Sequence, residues 1–297
     1  MQEEARFTIS FDGKTSTKHA IDLYDVSQAL IGFQRSLALT THLVLNGNII
    51  TQSPSLKGAQ IYALPAEPGS WKLTAVVAMG GAAVFNLGTA PKDSPIGHLV
   101  YSLYDYVISE SIGVNVDYNK SLGKLYEEAQ EKKIKIPIIK QSQADSLIEK
   151  CTAAITEMHR PIYKTATAKQ ALITGSFSNS QLPLRIKLTK DTYDFTHETR
   201  VADKPDAIEG RISSYNANTF KGRIYIEKFG RPLSFELQPN ARSVESIRII
   251  TASLHFSAMK DYNEPSSMIY CIAFQNTSKT GHIKSLTISK ISSTRFN

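Results

Sequence analysis

Six short stretches in which apolar and polar residues alternate follow one another after residue 206. Alternation of this kind is typical of half-buried strands, and several short strands at roughly ten-residue spacing favour a compact antiparallel barrel. Between the third and fourth stretches, ARSVESIRII is predicted to form a helical turn or a short helix. A helix at that position suits an OB-like barrel, and an SH3-like barrel is the alternative small fold. The six stretches are AIEGRISSY, FKGRIYIEK, PLSFELQ, TASLHFSA, MIYCIAFQ and HIKSLTISK.

The beginning of the chain predicts a small antiparallel sheet with a long helix packed against it. ARFTISF alternates as a strand does, and QIYAL and SWKLTAVV are predicted as two more strands joined by the turn sequence PAEPG. Between them, apolar residues recur at three- and four-residue steps. Asp25 and Gln28 resemble a capping box at the start of this helix, and Gly47 is placed to end it.

The middle of the chain is predicted to be helical. Ser94 and Pro95 suit an N-cap and a first-turn proline, SLGKLYEEAQEKK is amphipathic, and SQAD begins a third helix that ends by Pro161. Strand alternation returns in LRIKLTKDTYDF, and VADKPDA has the composition of a connector. We therefore expect an α+β protein with four parts: a sheet–helix unit at 1–90, a helical middle at 91–175 that packs on it or forms an arm, a strand and connector at 176–205, and a small barrel at 206–297.

The positive charge is concentrated in the last third of the chain. The net charge is +7, and the residues from Asp206 onward contribute 12 Lys plus Arg against 7 Asp plus Glu, a balance of +5 that leaves +2 for the first 205 residues. This excess favours an anionic partner for the barrel. Without a dense Lys/Arg run it is also compatible with an ordinary protein surface.

Cysteine usage and hydropathy indicate a cytoplasmic protein with no membrane partner. Cys151 and Cys271 lie far apart, which argues against a disulfide framework or a metal knuckle, and both are expected to be small buried hydrophobic residues. The start MQEEARFTIS has neither a basic n-region nor an apolar h-region. The longest apolar run, AVVAMGGAAVF, is about half the roughly 20 residues that a membrane-spanning helix needs.

No residue pattern in the sequence indicates an enzyme, a cofactor site or a metal centre. Gly175-Ser176 lacks the flanks of a nucleophile elbow, and the glycine pairs lack a phosphate-binding context. The seven histidines form no HxH or HxxxH pair. His197-Glu198, close to Asp191 and Asp194, is the one local cluster of titratable groups; a polar loop is the favoured interpretation, and acid–base work in a cleft is the alternative. We assign no catalytic residue, no cofactor and no metal, and predict a non-enzymatic function.

Gly-Arg occurs three times in the first part of the predicted barrel. Around each pair apolar and polar residues alternate, as in a half-buried strand, so the arginines could form a basic stripe on one face of a sheet. The candidate binding residues are therefore Arg211, Arg223, Arg231 and the interleaved Tyr225. Guanidinium groups suit phosphate or carboxylate, and aromatic rings can stack on bases. Small barrels also serve as docking and oligomerisation modules, so contact with nucleic acid, contact with protein and a solvated strand face all remain open.

A second basic patch lies in KKIKIPIIK, residues 132–140, where isoleucines alternate with other residues. It is predicted as a helix end followed by a short edge strand, which would offer a pairing surface for another chain. Its candidate binding residues are Lys132, Lys133 and Lys135.

Several stretches across the chain resemble an uncharacterised family of bacterial and phage proteins with an N-terminal sheet–helix unit and a small C-terminal barrel. They are FTISFDG, DVSQALIGFQRSL, EPGSWKL, EGRIS, KGRIYIE and LSFEL. In size, layout and lack of catalytic residues the chain is also similar to phage inhibitors of the Gabija anti-phage defence complex. That resemblance implies a homo-oligomer in the host cytoplasm that binds a defence nuclease assembly and blocks its access to DNA. A nucleic-acid-binding protein and a component of a bacterial defence system are the alternatives.

Overall fold

The computed structural model describes residues 3–64, 71–79, 94–114, 116–177, 181–278, 281 and 283–296. The chain divides into two compact units, Met1–Thr196 and His197–Asn297. The predicted turn PAEPG, Gly80-Gly81 and His282 lie outside the described residues. Within the described ranges, no helix combines the length and the apolar character needed to cross a membrane.

The first unit contains a five-stranded antiparallel sheet. Its strands are β1 (Glu3–Asp12), β2 (Ala59–Ala63), β3 (Trp71–Met79), β4 (Gln170–Ser176) and β5 (Leu182–Pro183). The order is β2-β3-β1-β4-β5, so β1 is central, and its Phe7, Ile9 and Phe11 are fully buried on one face. The predicted antiparallel sheet is confirmed. β4, which is one of the two neighbours of the central strand, was not predicted from the sequence.

Helices of the first unit cover the sheet and form most of its core. They are α1 (Leu23–Asn46), α2 (Pro95–Ser111), α3 (Lys124–Glu131), α4 (Gln141–Glu157), α5 (Arg160–Tyr163) and α6 (Lys190–His197). The predicted long helix and helical middle are confirmed. At Gly32 in α1 an added Cβ would lie 2.3 Å from the carbonyl oxygen of Ala154 in α4, so glycine is what lets these two helices approach so closely.

The start of α1 differs from the predicted capping box. Asp22 is the N-cap, and its carboxylate accepts from the backbone N–H of Asp25 over 2.9 Å. Asp25 itself is buried and pairs with Arg160 of α5. Gly47 ends the helix in the left-handed conformation, as predicted.

Two segments before the barrel that were predicted to form strands have other structures. The first half of LRIKLTKDTYDF forms only an isolated bridge, Leu188 with Ala171. The second half, together with the predicted polar loop at His197, is α6. Thr189 and Thr192 cap its first turn reciprocally, each hydroxyl accepting from the backbone N–H of the other. Residues 134–140 form no strand. There Tyr118 and Tyr126 bond the backbone carbonyl and N–H of the buried Ile139, which supplies the partners that a strand ladder would have given.

The second unit is a small closed barrel. Its strands are β6 (Arg200–Val201), β7 (Asp206–Asn216), β8 (Lys221–Ile226), β9 (Arg231–Leu237), β10 (Ile269–Thr277) and β11 (Ile283–Ser292). The order β7-β8-β9-β11-β10 closes because β10 also pairs with β7, and β6 pairs antiparallel with the last two residues of β10. One pair, β9 with β11, is parallel and the others are antiparallel. With a helix between its third and fourth strands, the barrel has the OB-like layout predicted.

That helix, α7 (Val244–Met259), is longer than predicted and includes TASLHFSA, which was predicted as a strand. A bulge in β7 near Ile212 breaks the ladder, and α7 covers it. The backbone N–H of Ile212 donates to Ser253 Oγ over 3.0 Å, and that hydroxyl donates to the Ser267 carbonyl over 2.5 Å. The buried face of α7 is therefore partly polar, which hides its helical period in the sequence.

Candidate interaction surface

The packing and the backbone of the barrel require glycine in all three Gly-Arg pairs. An added Cβ at Gly210 would lie 2.5 Å from the Tyr225 carbonyl oxygen, and one at Gly222 would lie 2.3 Å from the Ser214 carbonyl oxygen. Gly230 has φ +63° in the tight turn before β9, with open space around it. Two glycines are thus required by close packing and the third by backbone conformation.

The three arginines do not share one face. Arg211 and Arg223 alternate with the buried Ile212 and Ile224 and so belong to the outer face of the barrel. Arg231 is the cross-strand partner of the inward-facing Ile226 and therefore lies on the inner face of the strand pair.

Of the three Gly-Arg arginines, Arg223 and Arg231 are held by the fold, which leaves Arg211 as the main candidate for binding. Arg223 is only 4% exposed. Arg231 donates from Nη2 to the Ile283 carbonyl over 2.9 Å and thereby links β9 to the first residue of β11. Both side chains are held within the fold. The Arg211 side chain is itself only 18% exposed, but its neighbours Glu227 and Tyr262 are 60% and 53% exposed.

Carboxylates accompany the cations on the outer face of β7–β9. Arg211 Nη2 forms a short ion pair with Glu227 Oε1. Lys221 lies 3.9 Å from Glu236, which Arg242 also approaches to 3.9 Å. Two carboxylates therefore accompany these three cations where the sequence suggested an uninterrupted basic stripe.

The Arg211 cluster comprises Arg211, Tyr225, Glu227 and Tyr262. Tyr225 is the cross-strand partner of Arg211, so the two side chains stand on the same face. The guanidinium carbon of Arg211 lies 4.8 Å from the centre of the Tyr262 ring, and Tyr262 is 53% exposed. Tyr and Arg are enriched where protein interfaces bind most strongly. Sequence reasoning found Arg211 and Tyr225 but missed Tyr262, which follows α7 and has no local signal.

The second predicted patch is exposed. Lys132, Lys133 and Lys135 follow the end of α3, and all three are exposed. Ile138 close by is also exposed, although the edge strand expected there is not formed.

A cleft of about 440 Å³ lies on the barrel between β7, β10 and the turn before β9. Glu209 lines it beside Tyr270, its cross-strand partner. Arg295, which follows β11, also lines it: its Nη2 lies 3.0 Å from Glu209 Oε2, and its guanidinium carbon lies 5.8 Å from the centre of the Tyr270 ring. The remaining lining residues are Asp206, Ala207, Ile208, Ile226, Glu227, Lys228, Phe229, Met268, Gln275 and Phe296.

The buried cysteines and the buried histidine His159 are packed in the interior, and burial shifts the pKa of each. Cys151 and Cys271 are free and fully buried, as predicted, and burial raises the pKa of each thiol to about 12. Burial lowers the pKa of His159 to about 4, and its Nδ1 donates to the Ile155 carbonyl. Among the residues described, no group of three or more His, Cys, Asp or Glu side chains is arranged to hold a metal ion.

Comparisons with known proteins match both parts of the chain to families. Residues 7–195 match the family model described as "Domain of unknown function (DUF7946)", and residues 204–292 match the model described as "Family of unknown function (DUF7947)". The searches of curated proteins and of solved structures gave no match.

Proposed function

The chain belongs to the family described as domain of unknown function DUF7946, joined to a DUF7947 module, and we propose that it is a non-enzymatic protein that binds a protein partner through the Arg211 cluster. The observation that carries this proposal is the position of Arg211 between two tyrosines, with Glu227 neutralising its charge. A neutral, aromatic-rich surface suits protein better than nucleic acid, which is bound chiefly through unpaired cations.

The setting of this binding rests on the resemblance to inhibitors of the Gabija complex. We propose a homo-oligomer that binds a host defence nuclease assembly and blocks its access to DNA. Neither matched family has a described function, so this step stands on the sequence resemblance alone. A component of a bacterial defence system, with the same docking surface, is the alternative.

Light scattering behind size exclusion tests the proposal, with the protein run alone and then with purified Gabija complex. The wild type is expected to form a homo-oligomer and to shift into a larger complex of fixed stoichiometry. Arg211→Ala and Tyr262→Ala should reduce that shift. Arg248→Ala is the matched control, because Arg248 is exposed on α7 and lies outside the cluster.

The outcomes separate the parts of the proposal. A monomer that never joins the complex removes the proposed Gabija partner and the homo-oligomer. Complex formation that Arg211→Ala and Arg248→Ala affect equally would show that the Arg211 cluster is not the docking surface.

Nucleic-acid binding is a second candidate, favoured by the OB-like order of the strands. In OB folds the second and third strands carry the oligonucleotide site, and Tyr225 is exposed on the second strand, β8. A mobility-shift assay with single-stranded DNA at low salt tests it. Affinity that falls steeply with salt and weakens in Arg211→Ala would support it, and no shift at low salt would remove it.

A further inference from the structure

The cleft on β7 and β10 already holds a cation from its own chain. The guanidinium of Arg295 pairs with Glu209 and lies against Tyr270, and Phe296 beside it lines the same cleft. Carboxylate and aromatic ring are the two groups that recognise a guanidinium most directly, the first by charge and the second by its π face.

We propose that this cleft is a binding site for an arginine side chain of a protein partner, followed in the partner by an aromatic residue, and that Arg295 and Phe296 are its internal occupants. The inference rests on the proposed function, because it names the chemistry of a partner that the barrel would bind. It assigns the contact to Glu209, Tyr270 and their neighbours, and only Glu227 belongs to both sets, so Glu209→Gln and Arg211→Ala test the two surfaces separately.

The charges of the lining match a cationic ligand. Without Arg295, two carboxylates that Arg211 does not neutralise line the cleft, Asp206 and Glu209, against the single ammonium group of Lys228. The third carboxylate of the lining, Glu227, is paired with Arg211. Asp206 is held in place by Gln275, whose Nε2 donates to Oδ2 over 2.7 Å. The site therefore attracts a cation and disfavours an anion such as a phosphate.

The apolar part of the lining can contact the aromatic residue that we propose follows the partner's arginine. Phe229 in the turn before β9, Met268 before β10 and the buried Ile226 at the end of β8 line the cleft. The volume of about 440 Å³ is the space left beside Arg295 and Phe296, which line the cleft, and it is in the range of pockets that hold a small ligand or a few side chains. An arginine followed by an aromatic residue supplies both the charge and the apolar surface that this lining can take.

The internal occupant is held in a way that permits exchange. The side chains of Arg295 and Glu209 are 75% and 52% exposed, so water competes with their ion pair. The segment 293–296 contains no helix or strand. A partner arginine can therefore replace Arg295 while the barrel strands stay in place.

A peptide experiment with the full chain tests this exchange. The probe is a fluorescently labelled peptide with the sequence of residues 290–296, Lys-Ile-Ser-Ser-Thr-Arg-Phe, and its control carries citrulline in place of arginine. Citrulline keeps the shape of the side chain and removes its charge. Fluorescence anisotropy measures the binding of each peptide to the wild type, to Arg295→Ala and to the double variant Arg295→Ala with Glu209→Gln.

The arginine peptide is expected to bind Arg295→Ala at least about tenfold more tightly than wild type, because the tethered Arg295 competes at an effective concentration of millimolar order. Replacing arginine by citrulline, or adding Glu209→Gln, should each weaken binding by about tenfold or more. Adding Glu131→Gln instead is the charge-matched control and should leave binding unchanged, since Glu131 lies at the end of α3.

Equal binding of the arginine and citrulline peptides to Arg295→Ala would overturn the proposal, as would equal binding of the arginine peptide to wild type and Arg295→Ala. Arg295→Gln, which keeps a long polar side chain, is the second variant if the alanine variant unfolds more easily. Failure of the proposed function and failure of the arginine site give different results. A partner lost in Arg211→Ala but retained in the Glu209→Gln variant would leave the docking role intact and remove only the arginine site.

Discussion

Arg160 Nε donates to Asp25 Oδ1 over 3.0 Å, and this bond joins the first turn of α1 to α5 across 135 positions of sequence. The Asp25 side chain is only 3% exposed, and its other oxygen accepts from the backbone N–H of Thr165 over 3.2 Å. A buried carboxylate needs such partners, because its desolvation is costly when it is left unpaired. The pair therefore fixes how the long helix begins.

Removing the cation of this pair should destabilise the first unit strongly. Arg160→Ala leaves a buried carboxylate without its charge partner, and we expect a loss of about 3 kcal/mol in the free energy of unfolding. Glu157→Gln removes the exposed partner of Arg160 and should cost at most about 1 kcal/mol. Urea denaturation measures both values. Equal losses in the two variants would contradict the role given to Asp25.

Local periodicity was enough to predict most of the elements that have one polar face. Five of the six barrel strands and the long helix α1 have the alternation or the helical period expected from the sequence. The period of α7 was not recognised, because small polar residues such as Ser253 face the barrel while apolar residues lie on both sides of it. Tertiary contacts decided the structure there.

The candidate site could be predicted only in part, for a geometric reason. The sequence singles out Arg211 and Tyr225. The turn at Gly230 places Arg231 on the opposite face of the strands from Arg211, and alternation within a single strand cannot predict this. The contacts of Tyr262 and Arg295 come from segments distant in sequence. No local pattern marks either residue.

Ser253 offers a test of how α7 is attached to the barrel. Ser253→Ala leaves the buried N–H of Ile212 and the carbonyl of Ser267 without their shared partner, which should lower the free energy of unfolding by about 1–3 kcal/mol. Ser257→Ala on the same helix is the matched control. Its buried hydroxyl has no hydrogen-bond partner among the residues described, so the change should be within about 0.5 kcal/mol. Chemical denaturation followed by circular dichroism compares them, and a loss in Ser257→Ala as large as that in Ser253→Ala would argue against the bridge.

His159 should make the first unit sensitive to mild acid. Burial lowers its pKa from 6.5 to about 4, so the folded state prefers the neutral ring. The stabilisation is present above pH 6.5 and is lost as the pH falls toward 4, by about 3 kcal/mol at most. Unfolding measured between pH 7 and pH 4 should show this slope in the wild type and in His255→Gln, whose histidine is exposed. His159→Gln should be less stable at pH 7 and show a flatter slope; an unchanged slope would assign the acid sensitivity to other groups.

The glycines of the Gly-Arg pairs should respond differently to alanine. In Gly222→Ala the new Cβ would lie 2.3 Å from the Ser214 carbonyl and 2.7 Å from the Phe235 ring, so the barrel wall must shift, at a cost of about 2–3 kcal/mol. In Gly230→Ala the Cβ meets open space, and the cost is the left-handed backbone alone, about 1–2 kcal/mol. Thermal unfolding ranks the two variants. Because packing inside the barrel differs from strain in an exposed turn, Gly222→Ala should also perturb the near-ultraviolet spectrum of the barrel aromatics, whereas Gly230→Ala should not. A Gly222→Ala protein with wild-type stability and spectrum would show that the close approach of β7 and β8 is not what requires glycine there.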